Sequence, residues 1–172
     1  MATTFPPVTH HITVNAKDGT SSFFPPAAAP SQPLGPSAQM TYLYSTPASF
    51  DLSTSGDLTY HQSAPTSPPL RSFPPTGATG AVIMDYAPNL EGAEGFMHRT
   101  QTVDYVCVLE GELELTLDGG EKKLLKKGEI VLQRAAMHSW RNASKTEPAR
   151  MIAIAVGGVG AVEGGMEFPK QG

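Results

Sequence analysis

The chain has 172 residues, 40% of them hydrophobic and only 16% charged, with a formal net charge of −4 at pH 7. That length suits one domain with a sizeable core. No basic stripe is present to neutralise phosphates, which argues against a nucleic-acid partner. The lone Cys107 cannot close an internal disulfide, and the N-terminus "MATTFPPVTHHITV" lacks both a basic start and an apolar run. The expectation is a soluble cytoplasmic protein, neither secreted nor membrane-spanning.

Proline-rich segments, "FFPPAAAPSQPLGP" (23–36) and "SAPTSPPLRSFPPTGATG" (63–80), break any helix early in the chain. No stretch of ten residues shows a 3.6-residue apolar period, so the chain reads as all-β. Strands are expected at 10–15, 39–46 and 81–87, the first isolated enough to pair with a neighbouring subunit. From residue 96 they come densely: 96–102, 104–110, 112–118, 121–126, 129–134, 138–142 and 150–156. The turns between them carry glycine at "EG", "DGG" and "KKG", the signal of a sandwich or small barrel. The basic cluster "EKKLLKKGE" (121–129) alternates with acids and leucines and reads as a solvated turn or edge strand. Residues 1–80 are expected to form a proline-rich arm with outer strands, 81–160 the barrel core, and 161–172 a glycine-rich, loosely ordered tail.

Alternation assigns faces. In 112–118, Leu113, Leu115 and Leu117 share one side, and in "HSWRN" His138, Trp140 and Asn142 do. His98 and Thr100 share another, while Arg99 and Tyr105 turn outward. Two histidines, a threonine and a tryptophan then meet inside one barrel.

The stretch Gly92–Asn142 resembles the cupin superfamily. Its first motif runs from glycine through five residues to His-x-His, then to a glutamate and, six residues later, a glycine. Here these positions hold Gly92, His98, Thr100, Asp104 and Gly111. The second motif runs from Gly128 to His138 and Asn142, one residue short, with Gln133 and Ala135 where proline and glycine are usual. Upstream, "STPASFDLSTSGD" and "AVIMDYAPNLEG" resemble the lead-in of single-domain cupins carrying "MHRT…DY…VLEGE", a subgroup that the resemblance associates with natural-product pathways. The resemblance implies one cupin-type β-barrel, or jelly roll, with a long N-terminal arm, and a homodimer joined through the N-terminal strand and a sheet edge.

A full cupin metal site has three histidines and a glutamate. Thr100 and Asp104 depart from it, leaving His98, Asp104 and His138 as a 2-His-1-carboxylate set. Two catalytic readings stand beside a relic site. In one, the triad holds a single divalent ion (iron, zinc or manganese). In the other, no cofactor is bound: one histidine abstracts a proton, Asp104 orients or charges an imidazole, and the second histidine returns the proton. No nucleotide cofactor is expected.

Thr100, Gln133 and Trp140 are candidate substrate contacts, with Gln133 as an orienting donor beside His138 and Trp140 as core or stacking wall. Met97 and Met137 are candidates for the mouth, whereas His10, His11 and His61 are dispersed and read as surface or strand residues. The implied partner is a small hydrophobic, oxygenated metabolite. The implied reaction is a lyase or isomerase step: dehydration, decarboxylation or cyclisation through an enol. The rivals are an iron-dependent dioxygenase and a non-catalytic small-molecule binder.

Overall fold

The computed structural model describes residues 5–160; the expected tail, 161–172, lies outside them. The chain begins with four short strands, β1 (Thr9–His10), β2 (Thr13–Asn15), β3 (Ser21–Phe23) and β4 (Ala27–Ala28). They nest as an antiparallel hairpin, Thr13 opposite Phe23 and Thr9 opposite Ala28. The segment expected to be one isolated strand is therefore two, both paired within the chain.

β5 (Ser31–Leu34) and β6 (Ala38–Thr46) follow. After β6 come a 3-10 turn at Leu52–Thr54, capped by the Asp51 side chain, and a short helix α1 (Gly56–Gln62). The helix is a small addition to the all-β pattern read from the sequence. At seven residues it is too short to display a period, and it carries Asp57 in its first turn and His61 in its last, the polarity its dipole favours.

The remaining strands are β7 (Thr79–Tyr86), β8 (Thr102–Glu110), β9 (Glu112–Leu117), β10 (Lys122–Lys126), β11 (Ile130–Arg134), β12 (His138–Asn142) and β13 (Ala149–Gly157). A six-stranded sheet in the order β11-β8-β13-β7-β6-β5 faces a three-stranded sheet β10-β9-β12. Val106, Val108, Leu113, Leu115, Leu125, Trp140, Ala149 and Met151 form the core. The fold is all-β, a cupin-type jelly roll. Because β6 is an interior strand of the large sheet, a division at residue 80 separates strands that share one sheet.

The strand expected at 96–102 is reduced to a bridge: His98 and His138 exchange two backbone hydrogen bonds of 2.8 Å. This segment must leave β12 in the small sheet and enter β8 in the large one, so its ladder stops after one pair. Gly95 makes the crossing possible, since a Cβ there would run into the Trp140 carbonyl. A bidentate Asp85–Arg150 pair ties β7 to β13, and Arg150 also stacks 4.6 Å over the Phe5 ring, holding the start of the arm.

The outward side of β8, β11 and β13 is unusually apolar. Ile130 pairs with Cys107, and Leu132 and Ile154 flank Tyr105. Ile130, Leu132 and Tyr105 are 66%, 60% and 50% exposed, and β11 is the sheet's edge strand.

Candidate active site

Strand alternation delivers the site. On β8, Thr102, Asp104 and Val106 point inward and are buried, while Val103 and Tyr105 point out. Gln133 lies directly opposite Asp104 in the β11–β8 register. His138 and Trp140, two residues apart on β12, face the same interior. The backbone bridge then places the His98 ring 4.4 Å from the His138 ring, tilted by 51°.

These groups form the polar end of a cavity of about 750 Å³. His98, Thr100, Asp104, Gln133, His138 and Trp140 all line it. The other walls are mainly apolar, including Met40, Val82, Met84, Phe96, Met151 and Ala153. Sequence reasoning missed these walls, although the alternation in "AVIMDYA" already put Val82, Met84 and Tyr86 on one face. Met97 and Met137 do not line the cavity, and Phe96 takes the place expected for Met97. Asn142 reaches its rim, but its amide spends its hydrogen bonds on the Ala87 and Glu147 carbonyls, stapling two loops.

The hydrogen bonds fix the proton positions. The indole N–H of Trp140 donates to Gln133 Oε1 at 3.1 Å. An indole can only donate, so the amide is oriented with its NH2 toward Asp104 Oδ2 (3.2 Å) and His138 Nε2 (3.3 Å). His138 Nδ1 lies 2.7 Å from the Ala136 carbonyl and His98 Nδ1 lies 3.0 Å from the Phe96 carbonyl. Carbonyls only accept, so each Nδ1 carries a proton and each neutral ring keeps its lone pair on Nε2. His98 Nε2 has no hydrogen-bond partner among the described residues. Burial above all, with help from His98, holds the His138 imidazole below its usual pKa, against the opposite pulls of the Ala136 carbonyl and Asp104.

Asp104 makes no direct hydrogen bond to either imidazole among the described residues; Gln133 stands between it and His138. The Thr100 hydroxyl is paired with Thr102 at 2.7 Å. Arg99 leans away from the cavity toward Asp118, 4.0 Å distant. Ala135, where the family pattern has glycine, takes a left-handed φ of 49°, a conformation that costs a residue with a Cβ about 1–2 kcal/mol.

The scattered histidines of the N-terminal half partly converge. The His10 and His61 rings lie 5.7 Å apart beside a smaller cavity of about 240 Å³, with His61 stacked on Tyr42 and Tyr44. Nothing in their spacing signals this, because the fold brings them together across 51 residues of chain.

A family model described as "Cupin domain" matches residues 82–155. Oryzines biosynthesis cluster protein J of Aspergillus oryzae is 37% identical over 169 residues, 95% of this chain and 90% of that protein. The chain belongs to the cupin superfamily. Phomopsin biosynthesis cluster protein C' of Diaporthe leptostromiformis is 38% identical to this cupin over 130 residues, 75% of the chain and 66% of the relative. Cupin-domain-containing oxidoreductase srdB of Neurospora crassa is 46% identical over 70 residues, 41% of this cupin and 34% of that protein. No helix among the described residues is long and apolar enough to cross a membrane.

Cupin barrels commonly hold a divalent metal, and the donor set here can be tested against one. Among the described residues, no three His, Cys, Asp or Glu side chains are gathered so as to hold an ion. The expected His98, Asp104 and His138 triad is interrupted by the Gln133 amide, a proton donor aimed at two of its three members. The groups as arranged do not fit a metal.

Proposed function

We propose that this cupin is an enzyme of secondary-metabolite biosynthesis. Its lyase or isomerase step is dehydration, decarboxylation or cyclisation through an enol, acting on a hydrophobic, oxygenated, polyketide-like metabolite. The observation that carries the reading is the His98 Nε2 lone pair, facing the polar end of an otherwise apolar cavity. A ligand filling that cavity buries its carbon skeleton against Met40, Val82 and Met151 and presents an acidic C–H or hydroxyl to His98. His98 takes that proton, and the resulting imidazolium returns it to the leaving hydroxyl or to carbon. The Thr100 hydroxyl, paired with Thr102, lines the same cavity and supplies a hydrogen bond to the enolate oxygen. Asp104 and His138, joined through Gln133, keep the floor rigid. The names of relatives from oryzine and phomopsin clusters support the metabolic setting.

A second reading, an oxidative reaction, is favoured by the relatives named oxidoreductases, which align over less than half of this chain. One experiment separates the two. Purified protein is incubated in D2O with a panel of β-hydroxy ketones and aromatic polyketide-like compounds, with chelator present, while oxygen is monitored. Deuterium incorporation next to the carbonyl, abolished in His98→Ala and without oxygen uptake, is the expected result. Full exchange in His98→Ala refutes the assignment of the base. Oxygen uptake coupled to an oxidised product replaces the lyase or isomerase reading, and a panel bound but unchanged points to a binding protein. The homodimer, too, is a proposal: the outward face of β8, β11 and β13 is the surface a second copy would cover.

A further inference from the structure

We propose that Gln133 is a built-in occupant of the cation position, so that its amide, oriented by Trp140, keeps this barrel from binding divalent metal. The inference rests on the metal-free reading of the site, and metal binding rather than turnover tests it. A neutral imidazole has one lone pair at Nε2, and at His138 that lone pair already receives a Gln133 N–H at 3.3 Å. A metal ion must use the same lone pair, so metal and amide compete for it. The same NH2 also donates to Asp104 Oδ2 at 3.2 Å, bringing its positive edge against the carboxylate a cation would need.

The amide cannot turn its oxygen toward an ion. That rotation would set the NH2 against the indole N–H of Trp140, two donors face to face in a buried site where Gln133 is 5% and Trp140 7% exposed. An unpaired buried donor is costly. Gln133 therefore satisfies two groups that otherwise invite a metal, and Trp140 fixes which end of it does so. By this account Gln133 is a positioning residue, and Asp104 and His138 are two donors that a ligand oxygen at position 133 would complete.

The test is a cobalt(II) titration, read by visible absorbance and by thermal shift, of the full-length wild type and of three variants. Gln133→Glu preserves shape and the acceptor for Trp140 while replacing the NH2 with a ligand oxygen. Gln133→Ala vacates the position, and Trp140→Phe lets the amide flip. The wild type is expected to show no stoichiometric cobalt spectrum. Gln133→Glu and Gln133→Ala are expected to bind one ion per chain, with affinity raised about 10–100-fold, and Trp140→Phe to fall between. Adding His138→Ala to Gln133→Glu is expected to abolish the gain, which places the ion at this site. Wild-type protein that binds one cobalt as tightly as the variants overturns the proposal, and this needs no variant to fold. Folded Gln133→Glu and Gln133→Ala proteins that gain no affinity also overturn it, because the remaining donors then do not converge.

Discussion

Replacing Trp140 with phenylalanine isolates the role of one hydrogen bond. Trp140 donates at 3.1 Å to Gln133 Oε1, and both side chains are buried. Phenylalanine keeps an aromatic ring but leaves the amide oxygen with no described donor, a loss of about 1–3 kcal/mol. Trimming the indole removes a few buried atoms worth roughly 0.8 kcal/mol per methylene-sized group. The expected total is about 2–4 kcal/mol, or a melting temperature lower by roughly 5–15 °C for a chain of this size. Urea denaturation followed by circular dichroism measures the cost, and a double-mutant cycle apportions it. Gln133→Met removes the stranded oxygen, so Trp140→Phe should cost less in that background, with a coupling of about 1–2 kcal/mol. A single-variant loss below about 0.5 kcal/mol, or strict additivity in the cycle, would refute the claim that this bond orients the amide.

Other substitutions probe other features. Gly95→Ala should push the loop that carries His98 off the Trp140 backbone, lowering turnover or ligand binding at least about tenfold while circular dichroism still shows a folded sheet. Ala135→Gly relieves a left-handed alanine and should raise stability by up to about 1 kcal/mol, read in the same denaturation assay. His61 and His138 are both held below the ordinary imidazole pKa of 6.5, each chiefly by burial. The unfolded chain therefore takes up protons first as pH falls through that value, so stability should be complete above it and decline below. His61→Gln should flatten part of that slope in pH-dependent melts. Leu132→Lys, on the exposed apolar face, should leave the chain monomeric by light scattering if a second copy covers this surface. An unchanged dimer would move the interface elsewhere.

Much of this was legible in the sequence because strand alternation is a strict period of two. Leu113 and Leu115 fell inward and Tyr105 outward as read, and the His98-to-His138 pattern placed both rings in one interior. Residue pairs joined only by fold register were not legible. Gln133 meets Asp104 because β11 and β8 align in one register, and no spacing in one sequence encodes that pairing. The helix at 56–62 is too short to show a period, and β3 to β5 are brief, proline-flanked strands whose pairing comes from tertiary contacts. The proposed exclusion of metal turns on a letter that motif counting treated as a missing proline, although Gln133 also read as an orienting donor beside His138. At position 133, glutamine is informative for what its side chain donates.

Trp140 is the chain's single tryptophan, and it lines the cavity with its N–H committed to the residue that organises the floor. The protein thus carries its own optical reporter. Intrinsic fluorescence comes from one known point, with no second indole to dilute it, and responds to anything that enters the cavity or unseats the amide. Candidate metabolites can therefore be screened on unlabelled protein before any reaction is known, and a change in emission locates them at this site.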